Sequence, residues 1–130
     1  MKKLSLILAA AAMLLMTACT KDEKIDLNGT SWGTKDINGD RQITYRLSLS
    51  KNTGELYIYD YVSSNYNWTI RYRITSYTFD GESKGTMTFE KEGYDPNWHG
   101  PETHDFDLRV NGTKMGFGNP YRSTVLDRTR

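Results

Sequence analysis

Two histidines and two carboxylates lie close together in a loop-like stretch between residues 91 and 105. They are His99, Glu102, His104 and Asp105. Imidazole nitrogens and carboxylate oxygens are ligands that zinc takes in proteins. However, the spacing of the four matches no zinc motif, and a glycine and a proline interrupt them. The pattern therefore favours a polar loop, and we expect no metal there.

A second set of oxygen donors alternates along a short segment that resembles the start of a calcium loop. Asp36, Asn38 and Asp40 occupy every second position. The rest of the loop is absent, because Arg41 replaces the required glycine and Leu47 replaces the bidentate acid. An Asn-Gly pair within the segment is typical of a tight hairpin turn. The sequence thus predicts a turn rather than a calcium site.

Catalytic chemistry has little support in this composition. The chain has two histidines and one cysteine, and no nucleophile, base and orienting group follow one another in a recognisable order. Pairs of acids are too common to indicate glycoside hydrolysis. We expect a protein that is not an enzyme and needs no cofactor.

The charge balance excludes nucleic acid as an expected partner. The full chain has 17 Lys+Arg and 16 Asp+Glu. Removal of residues 1–18, which contain two lysines and no acid, leaves 15 cations against the same 16 acids. A nearly neutral chain lacks the basic surface that binds phosphate backbones.

Three tyrosines alternate with apolar residues and so share one face of a predicted strand. Tyr57, Tyr59 and Tyr61 form this outward row. Contiguous exposed aromatic surface is typical of a binding site, and aromatic faces suit both sugars and protein partners. Alternatively, the rings stack with Arg71 and Arg73 of the adjoining strand as cation–π pairs.

A further group of polar-tipped side chains shares the predicted inner face or the long loop. These candidate ligand-binding residues are Tyr45, Asp60, Trp68, Tyr72 and Trp98. A buried hydroxyl or indole N–H requires a partner, which a ligand could supply. A buried acid must be paired or protonated. Asp60 could therefore hold a ligand's polar group, lie near water at the strand end, or pair with an arginine.

The elements that position these residues are short strands. Apolar and polar residues alternate with period two from residue 43 onward, glycine- and asparagine-rich turns separate the runs, and no helical repeat is found after residue 19. About eight such strands favour an all-β antiparallel barrel, with a β-sandwich as the alternative. Short connections favour an up-and-down meander. The predicted inward residues are Ile43, Tyr45, Leu47, Leu49, Leu56, Ile58, Val62, Trp68, Ile70, Tyr72, Ile74, Met87, Phe89, Phe106, Leu108, Val110, Met115 and Phe117.

The N-terminus is typical of an exported protein. Residues 1–18 combine two lysines, an apolar run too short to span a bilayer and small residues, which indicates a secretory signal peptide. The ending Met-Thr-Ala-Cys resembles a bacterial lipobox, which implies a lipid anchor on Cys19. Residues 19–27 contain the candidate lipidated Cys19 and a charged tether, in which Thr-Lys-Asp-Glu-Lys at residues 20–24 resembles the export signal of surface-exposed lipoproteins in Bacteroidota. The alternative is an ordinary signal peptide and a free thiol.

Several short motifs resemble the small lipocalin-like lipoproteins of Bacteroidota. They are the segments Gly-Thr-Ser-Trp at residues 29–32, Tyr-Arg-Ile-Thr at 72–75, Gly-Thr-Met-Thr-Phe at 85–89 and Leu-Asp-Arg at 126–128. The resemblance implies a lipocalin-like β-barrel over residues 28–130, on an outer-membrane lipoprotein of a Gram-negative bacterium. It further implies that Trp32 closes the barrel bottom and that Arg128 packs on it.

The resemblance implies a tendency to bind rather than a reaction, and two functions follow. In the first, a small apolar or amphipathic ligand binds at the barrel mouth, with the 91–105 loop as a lid. In the second, side chains fill the barrel. An eight-stranded barrel is just wide enough to be filled in this way or to hold one small ligand. The protein then serves a structural or protein-interaction role through its tyrosine row or long loop.

Overall fold

Eight antiparallel strands form a closed barrel in chain order, and the last strand pairs with the first. The computed structural model describes residues 24–63 and 66–130, except the side chains of residues 36, 38, 63 and 66. The predicted all-β, up-and-down antiparallel barrel is confirmed, and the sandwich alternative is excluded. The strands are β1 (Ser31–Asn38), β2 (Arg41–Leu49), β3 (Gly54–Ser63), β4 (Tyr66–Phe79), β5 (Lys84–Lys91), β6 (Glu102–Arg109), β7 (Lys114–Phe117) and β8 (Thr124–Arg128).

The predicted signal peptide (residues 1–18), Cys19 and the first residues of the tether lie outside the described residues. Within the part of the chain that is described, no helix has the length and apolar character needed to cross a membrane.

The barrel interior is filled by the inward side chains of the strands. Alternation in β2 buries every second residue, and the register places Leu47 opposite Leu56 and Tyr45 opposite Ile58. Leu47, Ile58 and Phe89 are fully buried. Close packing of this kind is what an eight-stranded barrel permits without a central cavity. The buried apolar residues are Leu27, Trp32, Ile43, Tyr45, Leu47, Leu49, Leu56, Ile58, Tyr72, Ile74, Met87, Phe89, Phe106, Leu108, Met115, Phe117 and Leu126.

One end of the barrel, here called the bottom, is closed by the segment that precedes β1. The Trp32 indole N–H donates to the Thr30 hydroxyl at 2.9 Å, and that hydroxyl donates to the Leu27 carbonyl at 2.7 Å. The Arg128 guanidinium lies 5.9 Å from the indole centroid. The contact between Trp32 and Arg128 that the resemblance implied is therefore present, and it closes the bottom.

The turn between β6 and β7 does not have Asn111 and Gly112 as its two central residues. It spans four residues, and Val110 and Asn111 both take positive φ, at 51° and 56°. The Gly112 N–H donates to the Arg109 carbonyl, so Val110 and Asn111 are the central residues of the turn. Val110 consequently points away from the interior and is 62% exposed, and its predicted inward position is wrong.

Two details of the core also follow from strand geometry. Strand β4 runs unbroken through a register shift, a β-bulge, between Ile74 and Ser76. Val62 and Ile70 are only partly buried because they lie towards the open end of the barrel, here called the mouth. The sequence-based set omitted Leu126, which is fully buried in β8.

Candidate functional site

A tryptophan from the loop between β5 and β6 covers the mouth. The Trp98 ring lies 5.7 Å from the Tyr72 ring, at an interplanar angle of 50°. Its indole N–H donates to Glu90 Oε1 at 2.9 Å. An ion pair between Lys91 and Asp95 fixes the start of the same loop. The long loop thus places a half-buried indole over the inner aromatic residues.

Tyr72 lies beneath this indole. The residue is 4% exposed, and its hydroxyl takes part in no hydrogen bond among residues 24–63 and 66–130. The hydroxyl oxygen is within reach of solvent, because no fully enclosed side-chain oxygen of these residues lacks a partner. Burial, with smaller contributions from the carboxylates of Glu102 and Asp95, raises the pKa of Tyr72 to about 12. Tyr72 is therefore neutral at physiological pH and keeps unused hydrogen-bonding capacity at the mouth.

Asp60 pairs with an arginine, which is one of the three alternatives predicted for this residue. The carboxylate is 1% exposed and accepts from Arg41 Nε at 3.1 Å and Nη2 at 2.7 Å. The Tyr121 hydroxyl also donates to it. These Arg41 hydrogen bonds lower the pKa of Asp60, and burial opposes them.

The Asp60 cluster fastens a second mouth loop, residues 118–123, to β2 and β3. The backbone N–H groups of Tyr121 and Arg122 both donate to Asn119 Oδ1 at 2.9 Å. Tyr121 then reaches Asp60 and Arg41 across the mouth. Both Asp60 oxygens already have partners, so this geometry supports a structural role for the carboxylate.

The five predicted ligand residues are only partly brought together. Tyr72 and Trp98 are in direct contact, and Trp68 stands opposite Asp60 in the β3–β4 register. Trp68 belongs to the inner face by register but is 49% exposed at the rim. Tyr45 is 1% exposed, and its hydroxyl donates to the Arg122 carbonyl at 3.3 Å. Trp68 and Trp98 are therefore the accessible members of the set, and Tyr72 lies beneath Trp98.

The histidines of the long loop do not form a cluster. Glu102 and His104 are neighbours on the inner face of β6, with His104 Nε2 3.0 Å from Glu102 Oε1. The His104 ring packs edge-on against Phe89, at 5.8 Å. Within the described ranges, no group of three or more His, Cys, Asp or Glu residues could hold a metal ion.

Arg41 and Tyr121 belong to the mouth although the sequence reasoning did not select them. Arg41 lies two residues before Ile43, so the period of two places it on the same inner face as Asp60, and only the β2–β3 register shows that the two meet. Tyr121 lies in a glycine- and proline-containing segment between strands, where no periodic signal indicates direction.

The predicted tyrosine row lies on the outer surface of β3. Tyr57 is 37% exposed, while Tyr59 and Tyr61 are partly buried. The Arg71 guanidinium lies 5.1 Å from the Tyr57 ring centroid, so the predicted cation–π contact with Arg71 is present. Hydrogen bonding with Arg71 is the main cause that lowers the pKa of Tyr57. Arg73 instead lies opposite Glu55 in the register.

No protein-family model, curated protein or solved structure matches this chain. The lipobox and the lipocalin-like resemblance therefore rest on sequence motifs, and the barrel rests on the structure.

Proposed function

We propose that this chain is a lipid-anchored lipoprotein of a Gram-negative outer membrane that binds a small apolar or amphipathic ligand without catalysing a reaction. The filled interior confines the ligand to the mouth. The observation that carries the proposal is the contact between Trp98 of the long loop and Tyr72, whose hydroxyl takes part in no hydrogen bond of the described residues and stays within reach of solvent. A ligand that displaces the indole meets an aromatic ring and an available hydroxyl together.

The proposed ligand takes the place that the indole occupies in the closed structure. Outward movement of Trp98 exposes the Tyr72 ring, which packs edge-on against Phe89 at 6.2 Å. The ligand's apolar part covers these rings, and its polar end bonds to the Tyr72 hydroxyl. Because the carboxylates of Glu102 and Asp95 act on that hydroxyl, the site favours a neutral or cationic polar end over an anionic one.

Removal of the hydroxyl alone tests this site. In the soluble chain from residue 20 onward, we expect Tyr72→Phe to weaken binding of decanol about 5- to 10-fold, the cost of about one hydrogen bond. The measurement is competition against a fluorescent apolar probe. Decanoate should bind more weakly than decanol or decylamine. The matched control is Tyr94→Phe, which removes the same hydroxyl from a tyrosine that is 93% exposed.

Equal binding of decanol by Tyr72→Phe and the wild type would show that the Tyr72 hydroxyl does not bind the ligand. Failure of a folded wild-type chain to bind any of the three amphiphiles saturably would contradict the ligand proposal as a whole. In that case Trp98 is a fixed part of the core rather than a lid.

The proposed anchor has its own test. Cys19→Ser removes the sulfur that the lipobox resemblance assigns to the lipid. We expect the full-length variant to move from the membrane fraction to the soluble fraction of the envelope, since the acyl chains that the proposal assigns to Cys19 are its hold on the membrane. Retention of the variant in the membrane fraction would contradict lipidation at this residue.

A second candidate function is a structural or protein-interaction role of the filled barrel. The specific observation in its favour is the contiguous row of Tyr57, Tyr59 and Tyr61 on the outer surface of β3, where no ligand site is needed. A photoreactive side chain at position 59 in the full-length chain should then cross-link to a protein in the envelope. The matched control carries the same group at Thr103 on the outer face of β6.

A further inference from the structure

The chain enters the barrel at its bottom. The Ile25 N–H donates to the Gly81 carbonyl at 2.8 Å, and Lys24 Nζ lies 3.5 Å from Glu82 Oε1. Gly81 and Glu82 belong to the turn between β4 and β5, which lies at the bottom because the strands run alternately up and down from β1. Leu27, two residues further along, is buried in the core. The segment that begins at Lys24 is therefore fixed to this end of the barrel.

A short stretch of sequence separates the proposed anchor from this fixed point. Five residue steps lead from Cys19 to Lys24. A fully extended chain covers at most about 3.3–3.6 Å per residue, so the bottom of the barrel lies within about 18 Å of Cys19. This upper bound holds for any conformation of the stretch.

The mouth is too far from the anchor to rest on the same bilayer. Strand β3 has 10 residues and β4 has 14. Strands of closed barrels rise about 3.4 Å per residue and tilt by about 40°, so β3 alone spans roughly 23 Å along the barrel axis. This height exceeds the reach of about 18 Å that five extended residues provide. The mouth, where Trp68 and Tyr94 are exposed, thus lies beyond the reach of the anchoring bilayer.

The bottom carries an exposed apolar side chain that the core does not use. Val110 lies in the turn between β6 and β7, is 62% exposed and has a φ of 51°. Positive φ is rare for a β-branched residue, and backbone strain of this kind is found mainly at functional positions. A glycine would adopt this conformation without strain. Contact with lipid would give the valine a role that neither the core nor the turn requires.

An open groove of about 720 Å³ joins this turn to the N-terminal segment. Its apolar walls include Ile25, Leu108 and Val110, and its charged groups are nearly balanced. The charged lining residues are the cations Lys24, Arg109 and Arg128 and the acids Asp26 and Glu82. Apolar side chains beside charged ones suit the boundary between acyl chains and headgroups. The balance of charge means that the surface does not require an anionic lipid.

The side of the barrel nearest to the fixed segment is less suited to lipid. Outward residues alternate with the buried Met87 and Phe89 of β5 and with the buried Phe106 and Leu108 of β6. These outward positions hold threonines and charged residues, and no exposed large apolar residue of the described ranges lies on either strand. A barrel lying on this side would press charged groups against the membrane.

We propose that the bottom of the barrel, formed by residues 24–27 and the turn around Val110, lies on the lipid surface that holds the anchor. This inference rests on the lipid anchor at Cys19 proposed above. The mouth then opens away from that membrane. A ligand at Trp98 and Tyr72 exchanges with the aqueous side rather than directly with the anchoring bilayer.

Nitroxide quenching measures this orientation in the full-length chain. Single cysteines are introduced by Val110→Cys at the bottom, Tyr94→Cys at the mouth and Thr103→Cys on the outer side of β6, and each is labelled with the fluorophore NBD. Cys19 carries the lipid and does not react. In phosphatidylcholine vesicles that contain a lipid with a nitroxide headgroup, we expect the label at 110 to lose most of its emission. The labels at 94 and 103 should keep most of theirs.

Three results overturn the inference. Stronger quenching at 94 than at 110 would place the mouth on the lipid, and equal quenching at 103 and 110 would lay the barrel on its side. Unquenched emission at all three positions of a membrane-bound chain would show that the domain is held clear of the surface. Unchanged thermal midpoints of the labelled variants show that the fold is intact.

The anchor is tested separately from the orientation. The double variant Cys19→Ser, Val110→Cys should leave the vesicles and lose its quenching. A double variant that remains bound rejects the anchor, and the inference with it. A chain that needs Cys19 for binding but is quenched at 94 rather than at 110 keeps the anchor and rejects the orientation.

Discussion

Replacing Asp60 by asparagine is expected to destabilise the barrel by about 2–3 kcal/mol, within the range for loss of charge-assisted hydrogen bonds. The carboxylate is 1% exposed and accepts hydrogen bonds from Arg41 and Tyr121. Removing one partner of a fully buried ion pair lowers the folding stability by more than this, because it leaves an isolated buried charge. Here the Arg41 side chain is 46% exposed, so the abandoned guanidinium can reach water. Thermal or urea unfolding of the soluble chain measures the difference.

The pair of Asp60 and Arg41 also makes the stability of the fold depend on pH in the acid range. The pKa of Asp60 is lower in the folded chain than the value of about 3.9 for an unfolded aspartate, mainly through the Arg41 hydrogen bonds. Its stabilisation is therefore complete above the unfolded pKa and is lost as pH falls through the folded pKa. The stability gap between wild type and Asp60→Asn should shrink from about pH 7 to about pH 3.

Asp127→Asn is the matched control for this prediction. Asp127 also pairs with a cation, Lys114, but both side chains are about half exposed. Exposed ion pairs contribute about 1 kcal/mol or less, so this variant should unfold close to the wild type. A similar loss in both variants would show that charge removal, rather than the buried mouth cluster, causes the effect.

The period of two in the sequence was sufficient to predict the barrel and most of its core. It identifies which residues of a strand share a face, and β2 follows it along its whole length. It fails where the chain leaves the strands. Val110 continues the pattern of β6, yet backbone hydrogen bonds of the following turn rotate it outward. Turn geometry, rather than hydrophobicity, decides its position.

The mouth was less predictable because its contacts join residues distant in sequence. Asp60 and Tyr121 are separated by 61 positions and meet only because the barrel closes. The sequence indicated that Asp60 needs a partner, since a buried acid must be paired. It could not select Arg41 over other arginines without the register between β2 and β3. Likewise, the packing of Trp98 on Tyr72 depends on the path of an irregular loop.

Trp32→Ala is expected to lower the free energy of unfolding by about 3–5 kcal/mol, the range for deleting a fully buried large aromatic side chain. Trp32 is 1% exposed and closes the barrel bottom between Leu27 and Arg128. Its replacement leaves a cavity and breaks the hydrogen bond to the Thr30 hydroxyl. Since native domains are stable by only about 5–15 kcal/mol, the variant should unfold at a much lower urea concentration.

Two further variants divide that loss into its physical parts. Trp32→Phe keeps an aromatic ring at the bottom but removes the indole N–H, so it should lose less stability than Trp32→Ala. Tyr94→Ala removes an aromatic side chain that is 93% exposed, and its effect should stay within about 0.5 kcal/mol. If Trp32→Ala were no less stable than Tyr94→Ala, closure of the bottom would not depend on this indole. The segment before β1 would then hold the end of the barrel through Leu27, Thr30 and its backbone bonds to the Leu49 strand end alone.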